Sequence, residues 1–118
     1  MTQRFSLGAL LFVFLSAFSG APTLAATIAQ VLANPSTYDG QHVDIKGQIL
    51  HFEQKVSHKG NPYVTFSLCS SVCIHVFGFG SPELRDGETV TVHGTFAAVK
   101  HVSGYTFYNE IDSDDGSL

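Results

Sequence analysis

The chain has 118 residues, with ten carboxylates against six lysines and arginines and a net charge of −4 with histidine neutral. That length holds one domain, and the acidic balance argues against a generic nucleic-acid binder, whose surface is normally basic. There is no Gly-x-Ser-x-Gly elbow, no His-Glu-x-x-His pair, no phosphate loop and no carboxylate pair in a defined setting, so neither catalysis nor a cofactor is expected.

The amino terminus reads as a secretory signal peptide. Arg4 supplies the positive start, residues 7–18 form an apolar run, and residues 19–25 are mostly small. Thr23 and Ala25 suit the −3 and −1 positions of a signal peptidase, which places cleavage after Ala25 or, nearly as well, after Ala26. The apolar run of about twelve residues falls short of the ~20 needed to span a bilayer, so the mature form is expected to carry no membrane span. The expected organisation is a signal at 1–25, a domain at 26–112 and an acidic flexible tail at 113–118, in a periplasmic or secreted protein. Loss of Arg4 makes the mature chain one charge more acidic.

Residues 27–34 predict a short helix. Thr27 can cap it with Gln30 three positions on, and Ile28, Val31 and Leu32 fall on one face. It is too short to stand alone, so it should lie against an apolar surface until Asn34-Pro35 ends it. From Gln41 the period changes to two: Val43, Ile45, Gly47 and Ile49 alternate with polar residues. The alternation slips over residues 49–52, which suggests a bulge near Gly47.

Residues 54–62 read as a loop, 63–69 as a second strand with Val64, Phe66 and Leu68 on one face, and 73–79 as a third. In the connector at 80–88, Ser81-Pro82 could start one helical turn. Fourth and fifth strands follow at 89–99 and 105–111. The segment 43–49 echoes 90–96, each with a glycine at the same place in the alternation; two such strands, first and fourth, would pair to close a small barrel.

Cys69 and Cys73, the only cysteines, flank a tight turn. In an exported protein they are expected to form a disulfide. Metal binding is the rival reading, because His75 follows Cys73 by two, although two Cys and one His fall short of a closed structural site.

Five strands, a glycine-bent first strand, a tight hairpin between the second and third, and a glycine-bearing connector together resemble the OB-fold. The stretch Gly60 to Leu68, then Ile74-His75-Val76-Phe77, then Leu84 to Phe96 is similar to the anticodon-binding type of OB-fold. That type occurs in aminoacyl-tRNA synthetases and in the large subunit of a bacterial exodeoxyribonuclease; small exported bacterial proteins share the pattern. The similarity covers residues 41–111. It implies an all-β, five-stranded Greek-key barrel with a short N-terminal helix. One departure is Cys69, where such domains usually carry Asp.

In OB-folds the second and third strands and the loops beside them bind the ligand. With Val64, Phe66, Leu68, Ile74 and Val76 inward, the opposite face carries Tyr63, Thr65 and Ser67 on one strand and His75, Phe77 and Phe79 on the next. Tyr63, His75, Phe77 and Phe79 could stack on planar groups such as bases. Lys55 and Lys59 in the first loop, and Lys100 and His101 in the last, could clamp an anion, making a locally positive cleft in an acidic domain. Glu53 is the nearest carboxylate in sequence. The expected role is an exported binding module for single-stranded nucleic acid or another oligomeric or planar anion. The alternatives are a periplasmic adaptor that binds an envelope protein through the same face, or a metal- or haem-handling protein using Cys73, His75 and other histidines.

Overall fold

The computed structural model describes residues 23–114 and 116–118. The expected signal falls mainly on residues 1–22, outside the described residues. The chain runs β1 (Leu24–Ala25), α1 (Ile28–Ala33), α2 (Pro35–Tyr38), β2 (His42–Val56), β3 (Pro62–Cys69), β4 (Cys73–Phe79), β5 (Thr89–Val102) and β6 (Tyr105–Ser113). It is a mostly β structure. Among the described residues no helix is long and apolar enough to cross a membrane.

Thr27 caps α1 as its sequence predicts. Its hydroxyl accepts from the Gln30 amide, and the Gln30 side chain accepts from the Thr27 amide. Ile28 and Val31 are thereby turned into the core. Asn34 ends α1, but Pro35 then opens α2, a single extra turn that the sequence reading did not include. Proline fits there because a first-turn amide needs no partner.

The six strands form one sheet in the order β1-β2-β3-β4-β6-β5, and β2 also pairs with β5, which curls the sheet into a partial ring. β2 makes this possible by its length. Its first half, His42 to Gln48, pairs with Thr95 to Thr89, and its second half, Gln48 to Val56, pairs with Cys69 to Pro62. The two echoing segments therefore pair with each other. Gly47 and Gly94 mark close approaches rather than bulges: a Cβ on Gly47 would meet the Leu68 side chain at 2.8 Å, and one on Gly94 would meet Ser113 Cα at 2.8 Å.

Alternation places the core. Val43, Ile45 and Ile49 of β2, Val64, Phe66 and Leu68 of β3, Ile74 and Val76 of β4, Val92 and Phe96 of β5 and Ile111 of β6 are all buried. At roughly 1.5–3 kcal/mol for each large apolar side chain removed from water, this cluster dominates the favourable side of folding.

Three expectations are corrected. The bulge lies not at Gly47 but between Leu50 and Glu53, where the register advances by one extra residue and His51 takes φ 56°. Both predicted ligand loops are short turns at the tips of long hairpins, so Lys55, Lys100 and His101 lie in strands. The connector forms no helical turn at Pro82. It bonds instead along the free side of β2: the Phe52 amide donates to Asp86 Oδ1, the Gln54 side chain to the Pro82 carbonyl, and the Gly87 amide to the Ile49 carbonyl. The C-terminal segment runs back along β5. The Asp114 amide donates to the His93 carbonyl and Leu118 packs against the core beside Gly78.

Cys69 and Cys73 are joined in a disulfide and stand opposite each other in the β3–β4 register. This is compatible with an oxidising, exported compartment. The loop closed is short, so replacing both cysteines by serine is expected to cost about 2 kcal/mol. Urea denaturation of the double variant checks this; a loss above about 4 kcal/mol would mean that the link does more than restrict the unfolded chain.

Candidate functional site

The register of β3 and β4 sets Tyr63 beside Phe79, Thr65 beside Phe77, and Ser67 beside His75, all on the face away from the core. Phe77 is the centre of an aromatic cluster, 5.3 Å from the Tyr63 ring and 5.0 Å, edge-on, from Phe79. Phe79 remains 55% exposed. Such an arrangement leaves apolar ring surface facing water on a rigid sheet.

Two hairpins rise beside this face and owe their placement to two left-handed residues. The bulge at His51 shifts the alternation of β2, so that Glu53 and Lys55 share the face of Thr65 and Tyr63 instead of following Ile49 inward. In β6, Asn109 takes φ 53°, a conformation Asn accepts more readily than most residues. The register between β5 and β6 stays continuous through it, with Lys100 opposite Phe107 and Phe96 opposite Ile111. On the near side of Asn109, Glu110 and Asp112 lie beside His75 and Phe77 of β4. On the far side, Lys100, Val102, Tyr105 and Phe107 turn over that same face. The result is a groove of about 940 Å³ with β3, β4 and β6 as its floor and the two hairpins as its walls.

Lys55, Tyr63, His75, Phe77, Phe79 and Lys100 line the groove, as the sequence places them; Lys59 and His101 do not. Lys59 sits at the β2–β3 turn, and His101 Nδ1 lies 3.1 Å from the Thr106 hydroxyl. Sequence reasoning missed His51, Tyr105, Phe107, Glu110 and Asp112, which also line it. The cues in the sequence are the alternation slip at residues 49–52 and an asparagine in mid-strand.

The charge of the groove differs from expectation. Lys100 donates to Glu110 Oε2 at 2.9 Å and to Asp112 Oδ1 at 2.8 Å, and its ammonium lies 4.6 Å from the centre of the Phe77 ring. Lys55 pairs with Glu53 at 3.2 Å. The lining thus holds three carboxylates, Glu53, Glu110 and Asp112, against two lysines, and both lysines are paired. The positive cleft is corrected to a neutral or slightly acidic one.

Glu110 is the only buried charged residue among those described, at 3% exposure. Burial, and then Asp112 beside it, push its pKa up to about 7, against the opposing pull of Lys100. Burial lowers the Lys100 pKa, but hydrogen bonds to Asp112 and Glu110 outweigh it and the net shift is upward. His75 is held below its usual range by burial, then by Lys55 and Lys100, with Asp112 opposing. Cys73, bonded to Cys69, offers no thiolate, and among the described residues no group of three His, Cys, Asp or Glu is placed to hold a metal ion.

The chain matches no family model, no curated protein and no solved structure.

Proposed function

We propose that the protein is an exported, non-catalytic adaptor of the OB type, and that it binds an extended segment of an envelope protein along the groove. The OB-type reading is supported by the pairing sequence β2–β3–β4–β6–β5–β2, in which one long bulged strand is shared between both halves. The aromatic face of β3 and β4 lies where such folds take their ligands. Export is supported by the signal-like amino terminus and by the disulfide.

The observation that carries the choice of ligand is the pairing of both groove lysines within the domain. Binding a polyanion depends on cations free to replace its counterions, and here an anion would have to break Lys100 away from two carboxylates. Exposed aromatic rings without excess positive charge suit the apolar and aromatic side chains that anchor protein interfaces.

Two measurements test this. A photo-reactive residue at position 79 is expected to cross-link to a discrete envelope protein, and the adduct should vanish in Phe77→Ala. A labelled single-stranded oligonucleotide is expected to bind weakly at low salt. Tight oligonucleotide binding that weakens steeply with salt would instead identify the polyanion as the ligand and overturn the reading.

A further inference from the structure

Resting on that reading, we infer that the outer half of the β5–β6 hairpin is a hinged clasp, latched onto the groove floor by Lys100, and that it must lift from Phe77 before a partner segment can seat. The hinge is built into the ladder. β5 and β6 pair at Ala97–Glu110 and again at Val99–Tyr108, but not at Ala98–Asn109 between them. Asn109 is left-handed there, and the Ala98 amide donates to Asp39 Oδ1 instead. A few residues of this kind are enough to absorb a hinge motion. β4 accompanies β6 only along residues 110–112, and β2 accompanies β5 only as far as Thr95. Past Asn109, among the described residues, each arm of the hairpin therefore has no strand partner but the other. Tyr105 and Tyr108 are 69% and 68% exposed, so little apolar burial holds the tip down.

Lys100 supplies the latch. Among the described residues, its bonds to Glu110 and Asp112 are the side-chain hydrogen bonds that tie this outer half to the floor. Its ammonium also covers the Phe77 ring, the centre of the aromatic cluster that a partner would use. Glu110 is faced by Lys100 from β5, Asp112 on its own strand and His75 from β4, with Lys55 of β2 acting on His75. Latched, Glu110 is closed off from water and keeps its proton to about pH 7; lifting the hairpin hydrates it and returns it toward 4.5. Proton binding thus favours the latched form, and the lifted form gains up to roughly 30-fold between pH 5.5 and pH 8.5.

The chain contains no tryptophan, so Phe107→Trp puts a single reporter on the clasp, opposite Lys100. In the full exported protein its acrylamide quenching constant is expected to rise at least twofold from pH 5.5 to pH 8.5. Adding Lys100→Met should give the high value at both pH values, and adding Glu110→Gln the low value at both. A separate Val56→Trp protein, with its reporter on the other hairpin, should show no pH change. Quenching that is flat in pH and unaffected by Lys100→Met would overturn the clasp and leave the adaptor reading standing. The cross-link from position 79 to the envelope protein should form at least threefold more at pH 8.5 than at pH 5.5, and equally at both in Lys100→Met. A moving clasp with equal yields at both pH values in the parent would overturn the requirement for lifting. A moving clasp with no cross-link in any protein would overturn the adaptor reading and leave the clasp standing.

Discussion

Gly94→Ala is expected to destabilise the domain by about 3 kcal/mol, near the top of the usual range for forcing extra atoms into a packed interior. Gly94 pairs with Val43 on one side and with Ser113 on the other, at the point where β5 passes from β2 to β6. A methyl group there would meet the Asp112 carbonyl oxygen and carbon and Ser113 Cα, all backbone atoms. No rotamer change can relieve that contact; β5 and β6 must separate. For a domain of this size the loss corresponds to a fall in Tm on the order of 15 °C, readable by calorimetry. At Gly47 the nearest atom is the Leu68 side chain at 2.8 Å, followed by the Cys69 carbonyl oxygen at 3.0 Å, so part of that clash can be absorbed. A Gly94→Ala protein as stable as the parent would show that the two strands do not approach as closely as described.

The second large effect is a fall in stability with rising pH that disappears in Glu110→Gln. Folded, Glu110 holds its proton up to about pH 7; its ordinary value is 4.5. Between those values the folded chain binds more protons than the unfolded chain, so stability from this group is present at low pH and is lost as pH rises through 7. The loss between pH 5 and pH 8 is on the order of 2 kcal/mol. The depressed His75 acts in the opposite sense just below neutrality, so the parent and the variant must be compared at each pH by urea denaturation. Glutamine keeps an oxygen for Lys100 while removing the titration. An unchanged pH slope in Glu110→Gln would assign the effect to another group.

Much of the fold is legible because the period-two pattern is clean where strands bury one face. Val64, Phe66, Leu68, Ile74 and Val76 fall inward as their alternation requires, and that alone sets Tyr63, Phe77 and Phe79 outward. The helix is legible because Thr27 and Gln30 form a local signal. What the sequence hid depends on backbone geometry at two residues. The left-handed His51 and Asn109 redirect the outer halves of two hairpins, and the conformation of Asn109 leaves no hydropathy signature. The alternation slip at residues 49–52 was visible, but glycine attracted the bulge that histidine holds. Asn109 lies on the bend that lets Lys100 meet Glu110 and Asp112, residues ten and twelve positions away. Lys100 therefore lines the groove as its place near the hairpin tip suggests, but the two carboxylates that pair with it are not legible from its neighbours in sequence.

Cys69 and Cys73 stand opposite each other at the closed end of the β3–β4 hairpin. A one-residue slip of these strands would exchange their faces, sending Val64, Phe66 and Leu68 into water and the Tyr63 and Phe77 rings inward. Such a hairpin would also have to pull the cross-linked pair out of line. The oxidation step is thus an editor of surface identity: it discards the inverted version of this protein whether or not the remaining strands have yet come together.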